Sequence, residues 1–139
     1  RYTSSVNYAE AEPMYPGFLT GNDLIAFYKE TKPTPEENIN YLAKTFGTDL
    51  FSTNRIATYS SGMTKKLSLV LAFMGTPKLI LLDEPLITLD TATVENLRAI
   101  IRQKLNEGVS FLITSHQDIG LNAVPVHTLE VLNKTLMHT

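Results

Sequence analysis

The sequence predicts an α/β fold built on a parallel sheet. Three observations carry that expectation. Short apolar runs suit buried strands, intervening segments repeat their apolar residues at helical spacing, and glycine or polar breaks separate the two kinds. Length agrees, because 139 residues of which 43% are hydrophobic make about one domain and can bury a core.

The elements divide into two zones. From about Leu19 to Asn54 the chain is polar and helical in pattern. There Leu24, Ile25, Phe27 and Tyr28 mark a short helix that Lys32-Pro33-Thr34-Pro35 breaks. A second helix follows, with Pro35 at its first position, Glu36 and Glu37 in its first turn, Ile39, Leu42, Ala43 and Phe46 on one face, and Gly47 as its stop.

From about Ile56 onward helices and strands alternate. Leu67, Val70, Leu71 and Met74 recur at helical spacing, and Leu69, Ala72 and Phe73 make the other side apolar too, so this helix is predicted to be buried all round. Gly75-Thr76-Pro77 ends it, and Leu79-Ile80-Leu81-Leu82 reads as a strand buried on both faces and stopped by Asp83-Glu84-Pro85. A helix over Thr91 to Leu105 turns Val94, Leu97, Ile101 and Leu105 inward, and Asn106-Glu107-Gly108 closes it. Val109 to Ile113 is the next strand, followed by a brief helix near Asp118 to Ala123 and a last strand near Val126 to Val131.

Composition narrows the function classes. Twelve lysines and arginines against 14 aspartates and glutamates give a net charge of −2 with no basic run, which argues against a nucleic-acid or anionic-membrane binder. No cysteine is present, so a disulfide framework, a thiolate zinc site and a cysteine nucleophile are excluded. The longest apolar stretches, around Leu67 to Gly75 and Leu79 to Leu82, fall far short of the roughly 18 residues that span a bilayer. Arg1-Tyr2-Thr3-Ser4-Ser5 has neither an initiator methionine nor a leader pattern and reads as the interior of a longer chain. His127 and His138 have no motif around them and are expected at the surface.

In open α/β sheets, ligands sit outside the carboxyl ends of the strands. This chain places Asp83 and Glu84 after one strand, and Ser115 and His116 after the next. Two carboxylates and an imidazole at neighbouring strand ends suit metal-assisted hydrolysis, with one carboxylate orienting Mg²⁺ and the other polarising the attacking water; phosphoryl transfer is the natural candidate. Taken alone, such a pair is more often a solvated turn that caps a helix. Ser60-Ser61-Gly62 opens a helix with Lys65 and Lys66 in its first turn, which fits an anion site at a helix N-terminus or, more simply, an ordinary serine cap. No G-x-x-x-x-G-K-[ST] loop occurs in the 139 residues.

In order, Tyr59-Ser60-Ser61-Gly62-Met63, Leu79-Ile80-Leu81-Leu82-Asp83-Glu84-Pro85, Thr88-Leu89-Asp90 and Ile113-Thr114-Ser115-His116 resemble the nucleotide-binding domain of an ABC transporter. They match its signature sequence, Walker B motif, D-loop and switch histidine. Spacing strengthens the match, with 23 residues from Ser60 to Asp83 and 7 from Asp83 to Asp90. Upstream, Val6-Asn7-Tyr8 and Leu19-Thr20-Gly21-Asn22-Asp23 resemble the strand before the Q-loop and the start of the helical subdomain. The resemblance implies the C-terminal part of a P-loop NTPase parallel sheet with an inserted helical subdomain. Residues 1–18 would form the Q-loop region, 19–58 the helical subdomain and 59–139 the rest of the ATPase core.

The resemblance also implies roles. Asp83 would help hold Mg²⁺, Glu84 would be the general base, and His116 would sense the γ-phosphate of ATP. Asp90 would lie at a dimer seam, and Ser60, Ser61 and Gly62 would meet ATP bound to a second nucleotide-binding domain arranged head to tail. The helical subdomain would dock a transmembrane permease at the cytoplasmic face of the membrane, and no nucleic acid is expected. The whole would couple ATP hydrolysis to transport. Walker A and the aromatic A-loop would lie before Arg1, so this chain alone is expected to be inactive.

Two motifs depart from the family pattern. Tyr59, Ser61 and Met63 replace the first, third and fifth residues of the usual Leu-Ser-Gly-Gly-Gln, and Ser61 adds a Cβ where close backbone approach is normal. The glutamine position of the Q-loop falls on Ala11, beside Glu12, so no Mg²⁺ role carries over there. Two alternatives stay open: a non-catalytic module that lends its signature face to a partner, and a soluble ABC ATPase of DNA repair or translation.

Overall fold

The computed structural model describes residues 5–121, 129–132 and 135–138. Three parallel strands form the main sheet in the order β1 (Val6–Ala9), β2 (Leu79–Asp83), β3 (Ser110–Thr114). The register pairs Asn7 with Ile80 and Ile80 with Phe111, then Ala9 with Leu82 and Leu82 with Ile113. Because side chains alternate along a strand, these six residues share one face. That face carries the core: Asn7, Ala9, Ile80 and Leu82 are buried, and Phe111 and Ile113 pack against them.

The opposite face holds Val6, Tyr8 and Leu112, all exposed, with Leu79 and Leu81 half-buried. The expectation that β2 is buried on both faces is therefore corrected. Among the described residues, one face of the sheet is packed and the other is open.

The segment between β1 and β2 is helical. Helix α1 (Gly21–Thr31) starts in a reciprocal cap: Thr20 Oγ1 accepts from the Asp23 amide at 3.0 Å, and Asp23 accepts from the Thr20 amide at 3.0 Å. The predicted Pro-Thr-Pro break does more than end it. Thr34 Oγ1 accepts from the Gly75 amide at 2.8 Å, which pins this break to the turn that precedes β2. Helix α2 (Glu36–Phe46) begins one residue later than predicted, with Pro35 at its N-cap, and Gly47 closes it at φ 76°. Only glycine takes that left-handed turn without strain. Two 3-10 turns, Thr48–Leu50 and Ile56–Thr58, lead on.

Helix α3 (Ser61–Ala72) is buried as its composition predicts, with Leu67, Leu69, Val70, Leu71 and Ala72 inaccessible, and it packs on α2 and β1. Asn7 Nδ2 donates to the carbonyls of Ala72 and Met74, each at 2.7 Å, meeting acceptors that a helix end leaves open. Helix α4 (Thr91–Asn106) buries Leu97, Ile100 and Ile101, and contacts α2 and β3.

After β3 the structure departs from expectation. Residues 118–121 are not helical, and Ala123 and His127 lie outside the described residues. The last predicted strand starts at Leu129 rather than Val126. This β4 (Leu129–Leu132) pairs antiparallel with an unpredicted β5 (Thr135–His138) in a separate two-stranded sheet. Leu132 opposite Thr135 leaves two residues between the strands, a spacing that favours a hairpin over the long crossover a parallel neighbour requires.

Candidate functional site

The site lies at the carboxyl ends of β2 and β3, where the register sets Asp83 beside Thr114. Alternation puts Asp83 on the open face of the sheet. Its Oδ1 accepts from Thr114 Oγ1 at 2.5 Å, so a neighbouring strand fixes the carboxylate. In the sequence Thr114 stands only within the run Ile113-Thr114-Ser115-His116, with no role of its own.

Glu84 does not continue the strand. Its φ is +47°, in the left-handed region that a residue with a Cβ avoids. The Glu84 amide donates to the Thr114 carbonyl at 2.9 Å and to Thr114 Oγ1 at 3.2 Å, and its carbonyl accepts from Lys65 Nζ at 2.8 Å. Ordinary alternation would send this side chain into the packed face. The turn instead brings its Oε2 to 4.0 Å from His116 Nε2. The Glu84 side chain is 15% exposed and that of His116 is 94% exposed, so a sheltered carboxylate meets an imidazole free to reach a ligand. Two residues picked out at adjacent strand ends are thus brought together.

The start of α3 is self-contained. Ser60 Oγ accepts from the Met63 amide at 3.1 Å, and the Met63 thioether receives the Ser60 amide at 3.4 Å. Met63 therefore keeps the reciprocal cap in which a glutamine would serve. Ser61 is exposed, whereas Gly62 faces the Thr88 carbonyl so closely that a Cβ there would lie 2.8 Å from it. Thr88 itself sits at φ 70°. Tyr59 is tied to the helical segment: its hydroxyl donates to the Phe51 carbonyl at 3.0 Å and accepts from the Gly21 amide at 3.2 Å, and burial pushes that phenol up.

The two lysines at this helix start are both engaged within the fold. Lys66 bonds Asp90 at 3.0 Å, and Lys65 turns inward to the Glu84 carbonyl. The signal for Lys65 was present in the spacing, since it shares a helix face with the buried Leu69 and Ala72. Burial pushes the Lys65 amine down, against the opposing charges of Asp83, Glu84 and Glu12. Ala11, half-buried, and Glu12, exposed, follow β1.

Asp90 caps α4, accepting from the Thr93 amide at 3.1 Å and from Thr93 Oγ1 at 2.8 Å. The Lys66 ammonium, then the Thr93 hydroxyl and amide, hold its carboxyl well below the usual carboxylate range. Asp90→Ala is expected to cost about 0.5–2 kcal/mol of unfolding free energy, read from urea denaturation at neutral pH. The folded pKa lies below the unfolded value of about 3.9, so this contribution is full above that pH and fades as pH falls toward the folded value. Wild type and variant should converge in acid; a gap that persists there would refute the assignment.

Residues 4–87, more than half of the chain, match the family model described as ABC transporter. The chain belongs to the ABC transporter family. Over 102 residues it is 33% identical to the retinal-specific phospholipid-transporting ATPase ABCA4 of Homo sapiens, an alignment covering 70% of this chain and 4% of that protein. Over 70 residues it is 36% identical to the cytochrome c biogenesis ATP-binding export protein CcmA of Nitrosomonas europaea, covering 50% of this chain and 33% of that protein. A solved structure of an ATP-binding subunit of an ABC transporter superposes with a TM-score of 0.74 at 22% identity, over 81% of this chain and 49% of the other. The chain therefore spans under half the length of each of these proteins, and the α/β fold of an ABC ATPase subunit is confirmed.

The donors at this site suit a divalent cation shared with a phosphate group. Among the described residues no three histidine or carboxylate groups converge on one ion. A hard carboxylate on the open face, Asp83, matches the habit of Mg²⁺, which takes one or two carboxylates and completes its shell with water and phosphate oxygens.

Proposed function

We propose that this chain is the signature-side and C-terminal part of an ATPase that powers an ABC transporter. The observation that carries the reading is the left-handed turn at Glu84, which leaves Asp83 on the open face and sets the Glu84 carboxylate beside His116. In this reading Asp83 would hold Mg²⁺, whose chemistry would be to neutralise charge on the phosphoryl group. Glu84 accepts the proton of the attacking water, and His116 contacts the γ-phosphate. Preorganisation of this kind supports phosphoryl transfer, where positioning and electrostatics dominate.

Ser60, Ser61, Gly62 and Asp90 meet ATP held by a second nucleotide-binding domain in a head-to-tail dimer. Residues 19–58 form the helical subdomain that docks a transmembrane permease, and 1–18 and 59–139 belong to the ATPase core. No helix among the described residues is long and apolar enough to cross a membrane, so the proposed place at the cytoplasmic face depends on that permease. No nucleic acid takes part.

The phosphate-binding loop must come from outside these 139 residues. The purified chain is therefore expected to show no Mg²⁺-dependent ATP turnover above background, while a complete nucleotide-binding domain containing it hydrolyses ATP. Phosphate release, measured for both with Mg²⁺ and with EDTA, checks this. Turnover by the isolated chain at the rate of the complete domain, or none by the complete domain, would sink the reading.

A further inference from the structure

Lys65 is a charged side chain that the fold buries fully, at 2% exposure, among the apolar residues of α3. A buried ammonium is costly unless it is partnered, and an apolar residue of similar volume usually serves stability as well or better. Its position therefore calls for a use beyond packing. The hydrogen bond from Lys65 Nζ to the Glu84 carbonyl, 2.8 Å long, supplies one. Thr114 holds the other side of the same residue through the Glu84 amide, at 2.9 Å to its carbonyl and 3.2 Å to its hydroxyl. Glu84 is thus gripped at both its N–H and its C=O while φ stands at +47°, a conformation its Cβ disfavours.

We propose that Lys65 is a positioning residue for Glu84: its bond to the Glu84 carbonyl holds the left-handed turn that aims the Glu84 carboxylate toward His116 and the attacking water. The proposal rests on the role of Glu84 as general base. Lys65 acts through the backbone of its neighbour. Because Ser60 and Lys65 stand on one helix, it also joins the ligand-facing start of α3 to the base by a single side chain.

The test uses the complete nucleotide-binding domain, with Lys65→Met, Lys65→Arg, Glu84→Gln and the Lys65→Met/Glu84→Gln double variant. Steady-state kinetics, ATP affinity and thermal unfolding are measured for each. Lys65→Met should lower kcat about 10²-fold, the scale of a misplaced catalytic group, with KM for ATP unchanged. Lys65→Arg, which keeps a long cationic donor, should recover most of the rate. The double variant should be no slower than Glu84→Gln alone, because Lys65 has nothing left to position. A wild-type kcat in Lys65→Met, a loss that multiplies onto Glu84→Gln, or a change in KM alone would overturn the proposal while leaving the role of Glu84 intact. Full activity in Glu84→Gln would instead remove the reading on which it rests. If Lys65→Met fails to fold, Lys65→Gln is measured in its place against the same expectations. Failure of both to fold would assign Lys65 to the core and overturn the proposal.

Discussion

Glu84→Gln in the complete nucleotide-binding domain is expected to lower ATP turnover by about 10²–10⁴-fold, the usual contribution of a general base, with ATP affinity unchanged. The amide keeps the shape of the side chain and loses only its capacity to take a proton. The turn itself should survive, because Thr114 and Lys65 hold Glu84 through its backbone N–H and C=O and not through its carboxylate. Single-turnover hydrolysis at saturating MgATP, paired with equilibrium nucleotide binding, separates the two effects. A wild-type rate would show that another group accepts the proton. A rate lost together with affinity would show that the carboxylate serves binding.

That expectation could be framed from sequence because the relevant pattern is local. Leu79 to Leu82 is too short and too apolar for anything but a buried strand, and Asp83-Glu84-Pro85 ends it sharply, so the two carboxylates fall where a parallel sheet presents ligands. Helix α3 was legible for the same reason, since its apolar residues leave no polar face over Leu67 to Met74. What stayed hidden depends on contacts far apart in the chain. The positive φ at Glu84 goes with hydrogen bonds to Thr114, 30 residues on, and from Lys65, 19 residues back. Thr114 sits in the run to His116 without a role of its own, and Lys65, although spaced with Leu69 and Ala72, reads as anion-binding at a helix start until the packing turns it inward.

The open face of the sheet was missed for a related reason. An apolar run such as Leu79-Ile80-Leu81-Leu82 records that both faces are meant for burial, but does not say where the covering elements come from. Ile80 and Leu82 are buried on the packed face, while Val6, Tyr8 and Leu112 on the other stay exposed. At the far end, the strand predicted near Val126 to Val131 came without a partner, and the structure pairs Leu129–Leu132 antiparallel with Thr135–His138.

Phe46→Ala is expected to lower the unfolding free energy by about 3–5 kcal/mol, the cost of removing a buried phenyl ring and leaving its cavity. Phe46 is 1% exposed at the last turn of α2. Its ring centroid lies 5.8 Å from that of Phe73, which in turn lies 6.0 Å from Phe111 on β3. The three rings run from the helical segment, past the end of α3, into the sheet. They thereby join the proposed permease-docking part to the part that holds Asp83 and Glu84. Polar contacts along the same seam are exposed: Asn96 Nδ2 to the Thr45 carbonyl at 3.0 Å and the Tyr41 hydroxyl to Gln103 at 3.3 Å. Each contributes only about 0.5–1.5 kcal/mol, too little to replace the ring. Urea denaturation of wild type, Phe46→Ala and Phe46→Leu measures the difference, with the leucine variant expected between the other two because it refills part of the cavity. A single shifted transition would mean that the helical segment and the sheet unfold together through this seam. A separate early transition confined to α1 and α2, with the sheet's own transition unmoved, would show that the aromatic stack does not couple them.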